Sequence, residues 1–342
     1  MSTSPFSALA EPGALDPLAN GAAGDMLRVH AFCALEPGPR LLVLGGVHGD
    51  ETCGSMAIER LRAELDGGMH ALRRGQLTLV PVANPLARRK GTREGERNLN
   101  RNFRPSPAGQ PAADYETRIT DLLCPLIDRH EVLLDLHSFE SDGEAFAMIG
   151  PRDNRGALEP FARAREEGRQ ARQLGTPRVV EGWLDIYAEG LAQRAAAGET
   201  LPDDAIDFGR GTNEYMRSRG GYGVTLECGQ HRDPEAPEVG YRAILAVLRL
   251  LAMIDAPPDE PPAPHPQVLR LAGVVLRHDA QDRFVRDWAT FDPVRRGDLV
   301  GIRAGGEEVR AACDGHIVFP NDRALAGAEW FYYARASERV LD

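Results

Sequence analysis

Apolar residues in this chain gather in short runs, with polar residues dividing them at helical spacing. Leu41 to Val47, Leu77 to Val82 and Val132 to Leu136 are largely apolar runs of strand length, the pattern of strands covered on both faces. Between them, Met56, Leu61 and Leu65 mark one helix, and Tyr115, Ile119, Leu122, Leu123 and Leu126 mark a second. Further strands are expected at Ala145 to Ile149 and Tyr222 to Glu227, and a charged, solvated helix from Leu158 to Leu174. Ile244, Val247, Leu248 and Leu251 form an apolar stripe at helical spacing. Strand and helix in alternation predict an α/β fold, with a mostly parallel or mixed sheet and helices on both faces.

The texture changes towards the C-terminus. "DAPPDEPPAPHP" carries too many prolines for a helix or central strand and reads as a stiff linker. Beyond it, short alternating runs such as "QVLRLAGVVLR" and "HIVFP" are broken by "RRGD", "AGG" and "CDGH", which predicts a small all-β unit. The division is therefore a loose leading segment over residues 1–26, a large α/β domain over 27–256, a linker over 257–266 and a β domain over 267–342. "EWFYYAR", Glu329 to Arg335, is expected to pack the β unit or the domain interface.

Candidate chemistry sits at the strand ends. "LLVLGGVHGDETCG" runs from a buried strand into a glycine-lined turn that presents His48 and Glu51 as H-x-x-E, and "EVLLDLHS" ends another strand with His137. In doubly wound sheets, ligands bind just beyond the carboxyl ends of the strands. Two histidines and a glutamate drawn from two such loops form the usual ligand set of a catalytic zinc with an open position. Asp135 lies two before His137 and shares its face, where it either orients that ligand or makes an ordinary salt bridge. "YGVTLECGQ" offers Glu227 at the end of a further apolar strand as the general base a hydrolytic metal site needs. "NPLARRKGTREGERNLNRNF", Asn84 to Phe103, is crowded with arginine and asparagine, side chains suited to gripping a carboxylate and polarising a carbonyl.

Charge and cysteine usage narrow the partners. A formal net charge of -11 argues against nucleic acid or an anionic membrane as the main partner. No run reaches the length of a membrane-spanning helix and no leader pattern opens the chain, so a cytoplasmic location is expected. Cys33, Cys53, Cys124, Cys228 and Cys313 are scattered without a C-x-x-C and read as reduced thiols, with Cys53 and Cys228 close to the candidate site. His231, just after the Glu227 loop, is expected at the surface, with a place in the pocket lining as its alternative, and His265, His278 and His316 are expected at the surface or in turns.

On "GGVHGDE", "NPLARRKGTREGERNLNRNF", "DLHS" and "LECGQ", in that order, the chain resembles the succinylglutamate desuccinylase and aspartoacylase family, relatives of the zinc carboxypeptidases. "FDPVRRGDLVGI" and "VRAACDGHIVFP" are similar to the barrel-like C-terminal β domain of that family. The resemblance implies one zinc ion held by His48, Glu51 and His137, with Glu227 activating water and passing the proton to the leaving nitrogen. It further implies Arg93 polarising the carbonyl, and Asn100 with Arg101 holding the substrate's carboxylate. The reaction would be amide hydrolysis of a small anionic N-acylated amino acid or related acylated amine. Asn98 departs from the aspartate common at its place, and Arg152, Arg155, Arg210 and Arg217 are all candidates for a further substrate-binding arginine. The alternatives are a carboxypeptidase-like metallopeptidase and, from another class, a non-catalytic zinc-binding or interaction protein. The β domain would rim the active-site mouth or support a homo-oligomer.

Overall fold

The computed structural model describes residues 26–155, 159–196, 198–256 and 265–341. The leading segment up to residue 25, residue 158 and most of the proline-rich linker lie outside the described residues.

In chain order the first part contains β1 (His30–Cys33), β2 (Glu36–Leu44), α1 (Cys53–Asp66), β3 (Arg74–Val80), α2 (Pro85–Lys90) and α3 (Tyr115–Ile127). It continues through β4 (Val132–Phe139), β5 (Phe146–Met148), α4 (Ala164–Gln173), β6 (Arg178–Glu181) and α5 (Trp183–Ala196), then α6 (Thr212–Ser218), β7 (Tyr222–Gln230) and α7 (Ala236–Leu250). The last part holds β8 (Gln267–Leu276), β9 (Arg283–Phe284), β10 (Pro293–Val294), β11 (Leu299–Ile302), β12 (Glu308–Arg310), β13 (Gly315–Val318) and β14 (Glu329–Ala336).

The apolar runs are strands of a mixed sheet because each has a hydrophobic cover on both sides. Leu41 and Val43 of β2 pack with α1 and α7, while Leu42 and Leu44 pack with α3. This alternation follows from the two-residue period of a strand. Strand β4 is buried along its whole length; Leu134 and Leu136 join the α1 and α7 side, and Leu133 the opposite side. Asp135 and His137 therefore share the face of Leu133.

Strand order across the main sheet is β1-β3-β2-β4-β7-β5-β6-β8-β14-β13-β10. Strands β3, β2, β4 and β7 run parallel, with antiparallel β1 at the edge and antiparallel β5 beyond β7. The chain leaves β2 for β3 on one side and later returns to place β4 on the other. That reversal opens a crevice beyond the carboxyl ends of β2 and β4, where His48 and His137 emerge.

Two elements differ from the sequence pattern. The expected helix over residues 158–174 begins only at Ala164, because Phe161 is drawn into a bridge with Asn154. Nor is it wholly solvated, since Glu167 and Gln170 are buried. In the C-terminal part, β8 pairs in parallel with β6, so β14, β13 and β10 continue the main sheet, and only β12, β11 and β9 form a separate antiparallel sheet. Trp330 and Phe331 of β14 are fully buried. His265 and His278 are exposed, whereas His316 lies half-buried on β13, where Pro293 of β10 and Ala334 of β14 flank it.

Two glycines shape the turn after β2. Gly46 has φ +58°, a conformation that costs little only without a side chain. At Gly49 a Cβ would overlap the backbone of Ala87 in α2, so the loop bearing His48 and Glu51 sits directly against that helix. Gly49→Ala is expected to destabilise the protein by about 1–3 kcal/mol through overpacking. A lowered midpoint in denaturant unfolding would register it, and an unchanged midpoint would contradict the close approach.

Candidate metal centre

The polar segment after β3 is ordered by one buried carboxylate. Asn84 caps α2 by accepting from Ala87 N at 3.1 Å and donates through Nδ2 to Glu116 Oε1 at 2.9 Å. Glu116, buried in α3, also accepts from the backbone N–H groups of Gly95, Glu96 and Arg97 at 3.0 to 3.2 Å. These bonds satisfy backbone donors that a long irregular loop leaves without partners. They hold the loop so that Asn98, Asn100 and Arg101 reach the crevice.

There His48, Glu51 and His137 converge, each about 2% exposed. One donor atom from each lies within 4.8 Å of the other two. His48 Nδ1 is 2.7 Å from Glu51 Oε1, His137 Nδ1 is 2.8 Å from Glu51 Oε2, and the two Nδ1 atoms are 3.2 Å apart. A zinc–nitrogen bond of about 2.0–2.1 Å and tetrahedral angles give a separation of about 3.3 Å between two ligand nitrogens.

The hydrogen bonds behind the rings decide where the lone pairs point. Asn98 Oδ1 must be an acceptor, because the backbone N–H of Asn100 donates to it at 2.9 Å. His48 Nε2, 3.1 Å from the same oxygen, is therefore the protonated nitrogen. Burial, with Arg93 nearby, lowers the His48 pKa to about 4, so the ring is neutral and Nδ1 bears a lone pair. A lone pair and a carboxylate oxygen 2.7 Å apart in a buried site repel each other unless a cation lies between them. The buried trio thus fits a metal ion by its own chemistry.

His137 is held from behind by Asp135, whose Oδ2 is 3.0 Å from Nε2 and accepts from Thr212 Oγ1 at 2.5 Å. A carboxylate on the outer nitrogen orients a ligating histidine. Burial disfavours the charged ring, but Asp135 and Glu51 outweigh it and hold the His137 pKa well above its usual value. Burial likewise opposes ionisation of Glu51, yet His48 and His137 keep its carboxyl well below the usual range. A bound cation would take over the charge that His137 otherwise supplies as a proton.

Glu227 stands directly across the β4–β7 pairing from His137. It is 8% exposed, and its Oε2 has no hydrogen-bond partner. Burial, reinforced by the negative charge of Glu51, pushes its pKa well above the usual range despite the attraction of His137. Arg93 donates through Nη1 to Glu51 Oε1 at 2.9 Å and remains half-exposed. Arg101 lies over the Trp183 ring with its guanidinium carbon 5.0 Å from the centroid. The Asn100 side-chain oxygen accepts from Thr212 N at 3.0 Å. All four residues line one cavity of about 630 Å³ with His48 and His137. Phe319, Leu325, Glu329 and Tyr332 line it too, so the C-terminal strands and loops supply part of its wall.

Some sequence expectations change. Of the candidate arginines, Arg217 reaches the cavity but is buried and bonded to Glu167, Glu159 and Glu214 at 2.7, 2.8 and 3.1 Å. Arg210 pairs with Asp207, Arg152 lines a second, smaller cavity and Arg155 is exposed. His231 is not a free surface residue, because it lines the main cavity. Cys53 and Cys228 are buried beside the site, with Cys53 Sγ 3.4 Å from the His137 carbonyl. Glu116 and Thr212 carried no local signal, since their partners are distant in sequence.

Residues 37–164 match the catalytic domain of succinylglutamate desuccinylase/aspartoacylase, the stretch that carries all three candidate ligands. Over that stretch the chain's similarity is to the succinylglutamate desuccinylase/aspartoacylase family. The chain is 29% identical to the succinylglutamate desuccinylase of Pseudomonas paraeruginosa over 326 residues, covering 91% of this chain and 87% of the relative. It is 36% identical to the N-alpha-acetyl-L-2,4-diaminobutyric acid deacetylase of Halomonas elongata over 222 residues, 59% of each chain. Among solved structures, a succinylglutamate desuccinylase/aspartoacylase from Rhodobacter sphaeroides shares the fold at a TM-score of 0.65 and 20% identity, over 89% of this chain and 87% of the other. The product-bound ectoine utilization protein of Ruegeria pomeroyi does so at 0.66 and 21%, over 90% and 88%. Among the described residues, no helix is long and apolar enough to cross a membrane.

Proposed function

We propose that this chain is a zinc-dependent hydrolase that cleaves the amide bond of a small N-acylated amino acid or related acylated amine, releasing a carboxylic acid and a free amine. The observation that carries this reading is the buried His48, Glu51 and His137 trio with the unpartnered Glu227 carboxylate across the strand pairing from His137. The names of the desuccinylase and deacetylase relatives support the same class of reaction.

His48, Glu51 and His137 would hold the zinc, which when bound supplies Lewis acidity towards the scissile carbonyl and water. Glu227, made more basic by burial, takes the proton from the attacking water in its ionised form and passes it to the leaving nitrogen. Arg93, anchored by Glu51 Oε1 and half-exposed to the cavity, has guanidinium N–H groups to spare for the developing negative charge on the carbonyl oxygen. Asn100 and Arg101 hold the free carboxylate of the substrate; with its oxygen engaged by Thr212, Asn100 offers its NH2 group.

The zinc-loaded protein should release free amine from at least one member of a panel of N-acetyl, N-succinyl and N-formyl amino acids, lose that activity on chelation and regain it with zinc. Preferred cleavage of unblocked peptides would favour a peptidase instead. Arg101→Met should raise KM about 10- to 100-fold with a smaller change in kcat, as expected for loss of a charge-assisted hydrogen bond of about 1.5–3 kcal/mol. An unchanged KM would remove Arg101 from the carboxylate clamp.

A further inference from the structure

One buried residue touches both halves of the site. Thr212 opens α6 and is 1% exposed. Its backbone N–H donates to Asn100 Oδ1 at 3.0 Å, and its hydroxyl donates to Asp135 Oδ2 at 2.5 Å. The first contact is to a residue of the proposed carboxylate clamp. The second is to the carboxylate that stands 3.0 Å behind His137 Nε2. The arginine-rich loop and β4, distant in sequence, are thereby held together at a single residue.

The surrounding fold fixes Thr212 in place. The backbone N–H groups of Asn102 and Phe103 donate to the carbonyls of Phe208 and Arg210 at 3.3 and 3.0 Å, which lays the approach to α6 alongside the loop that carries Asn100. At Gly211 a Cβ would lie 2.1 Å from Asn100 Oδ1, so any side chain there would push Asn100 away. The Gly211 N–H donates to Glu214 Oε2 at 2.8 Å, and the Asn213 side chain pairs with Thr225 Oγ1 of β7 at 2.7 Å. Asp135 is fully buried, and among the described residues its Oδ1 has no hydrogen-bond partner. Oδ2 therefore carries both the contact with Thr212 and the contact with His137. A hydroxyl bond to a buried carboxylate is of the stronger, charge-assisted kind. With its N–H and its hydroxyl both committed, Thr212 cannot shift without moving Asn100 or Asp135.

The geometry assigns Thr212 the part of a positioning residue that couples the carboxylate clamp to the metal ligand His137, by holding Asp135 in register with Asn100. This inference rests on the deacylase reading, in which Asn100 holds substrate and His137 holds zinc. Groups behind a ligating histidine are worth about 10- to 100-fold in metal affinity or activity. Residues that act through a shared partner lose additivity when both are changed.

The test measures zinc affinity, by competition with a chelator, for Thr212→Val, Thr212→Ser, Asn100→Ala and the Asn100→Ala/Thr212→Val pair. Valine keeps the shape and the backbone N–H but not the hydroxyl. Thr212→Val should weaken zinc binding about 10-fold. At saturating zinc it should lower kcat about 10-fold on an N-acyl amino acid, with KM within about 3-fold of the wild type. Thr212→Ser, which restores the hydroxyl, should bring zinc affinity and kcat back to within about 3-fold of the wild type. Asn100→Ala should weaken zinc binding about 3-fold when Thr212 is present and less than about 1.5-fold when valine replaces it, because the path through the hydroxyl is then already cut. Unchanged zinc affinity in Thr212→Val with only a lower unfolding midpoint, or equal losses from Asn100→Ala in both backgrounds, would overturn the coupling. Should Thr212→Val fail to fold, Asn100→Ala decides: weakened zinc binding supports the coupling and unchanged binding overturns it. If zinc affinity responds as stated but no amide of the panel is hydrolysed, the deacylase reading falls and the link from Asn100 to His137 stands. If the wild type binds no zinc, both fall together.

Discussion

Glu227→Gln is expected to bind zinc as tightly as the wild type while kcat falls by about 10³-fold or more. The substitution keeps the shape of the side chain and its place opposite His137 on β7, but an amide cannot take a proton from water. Proton transfer by a positioned group is worth roughly 10²–10⁴-fold, and Glu227 has an environment that suits the proposed role of base. It is buried among apolar strands with one oxygen unpartnered, an arrangement that costs stability and is poorly explained by packing alone. Stability to denaturant should hold or rise slightly, since a neutral amide replaces a group that burial penalises when charged. Metal analysis alongside steady-state kinetics separates the outcomes: full turnover with zinc retained would remove Glu227 from the mechanism.

His137→Ala has the second large effect, and it acts on the metal. Two donor groups would remain, and Asp135 would lose the imidazole that faces its buried carboxylate. Removing one partner of a buried ion pair costs about 3–5 kcal/mol, so the apo protein should also be less stable. Zinc content after dialysis is expected to fall from one per chain to near zero. His137→Ala combined with Asp135→Asn should recover part of the stability but none of the zinc. Isothermal titration with zinc checks the first claim and urea unfolding the second. Wild-type zinc affinity in His137→Ala would remove His137 from the ligand set.

Much of this was readable from local pattern. Leu41 to Leu44 and Val132 to Leu136 declared buried strands by unbroken apolarity, and His48, Glu51 and His137 followed at the ends where a doubly wound sheet collects its ligands. Asp135 was readable because a strand's two-residue period puts it on the face of His137. What escaped depends on contacts between residues far apart in the chain. Glu116 organises the arginine-rich loop from 20 residues away, and nothing beside it marks it out from other helical glutamates. Asn98 reads as an isolated departure until its oxygen is seen between Asn100 N and His48 Nε2, where it sets the tautomer of a candidate ligand. Arg217 offered itself as a substrate clamp, yet Glu159, Glu167 and Glu214 engage it from helix and loop alike. His231 read as a surface histidine because the wall that encloses it comes from β4 and from the C-terminal part. The proline-rich stretch implied a sharp break before the β unit, whereas parallel pairing of β6 with β8 carries the sheet across it.

The proposed chemistry requires that His48, Glu51 and His137 bind a single zinc ion in the crevice beyond β2 and β4. Anomalous diffraction at the zinc edge from crystals of the zinc-loaded protein tests it most directly. The expected map has one strong peak per chain, within about 2.0–2.3 Å of His48 Nδ1, His137 Nδ1 and a Glu51 carboxylate oxygen. A peak elsewhere on the chain, or none among these three side chains at saturating zinc, would contradict it.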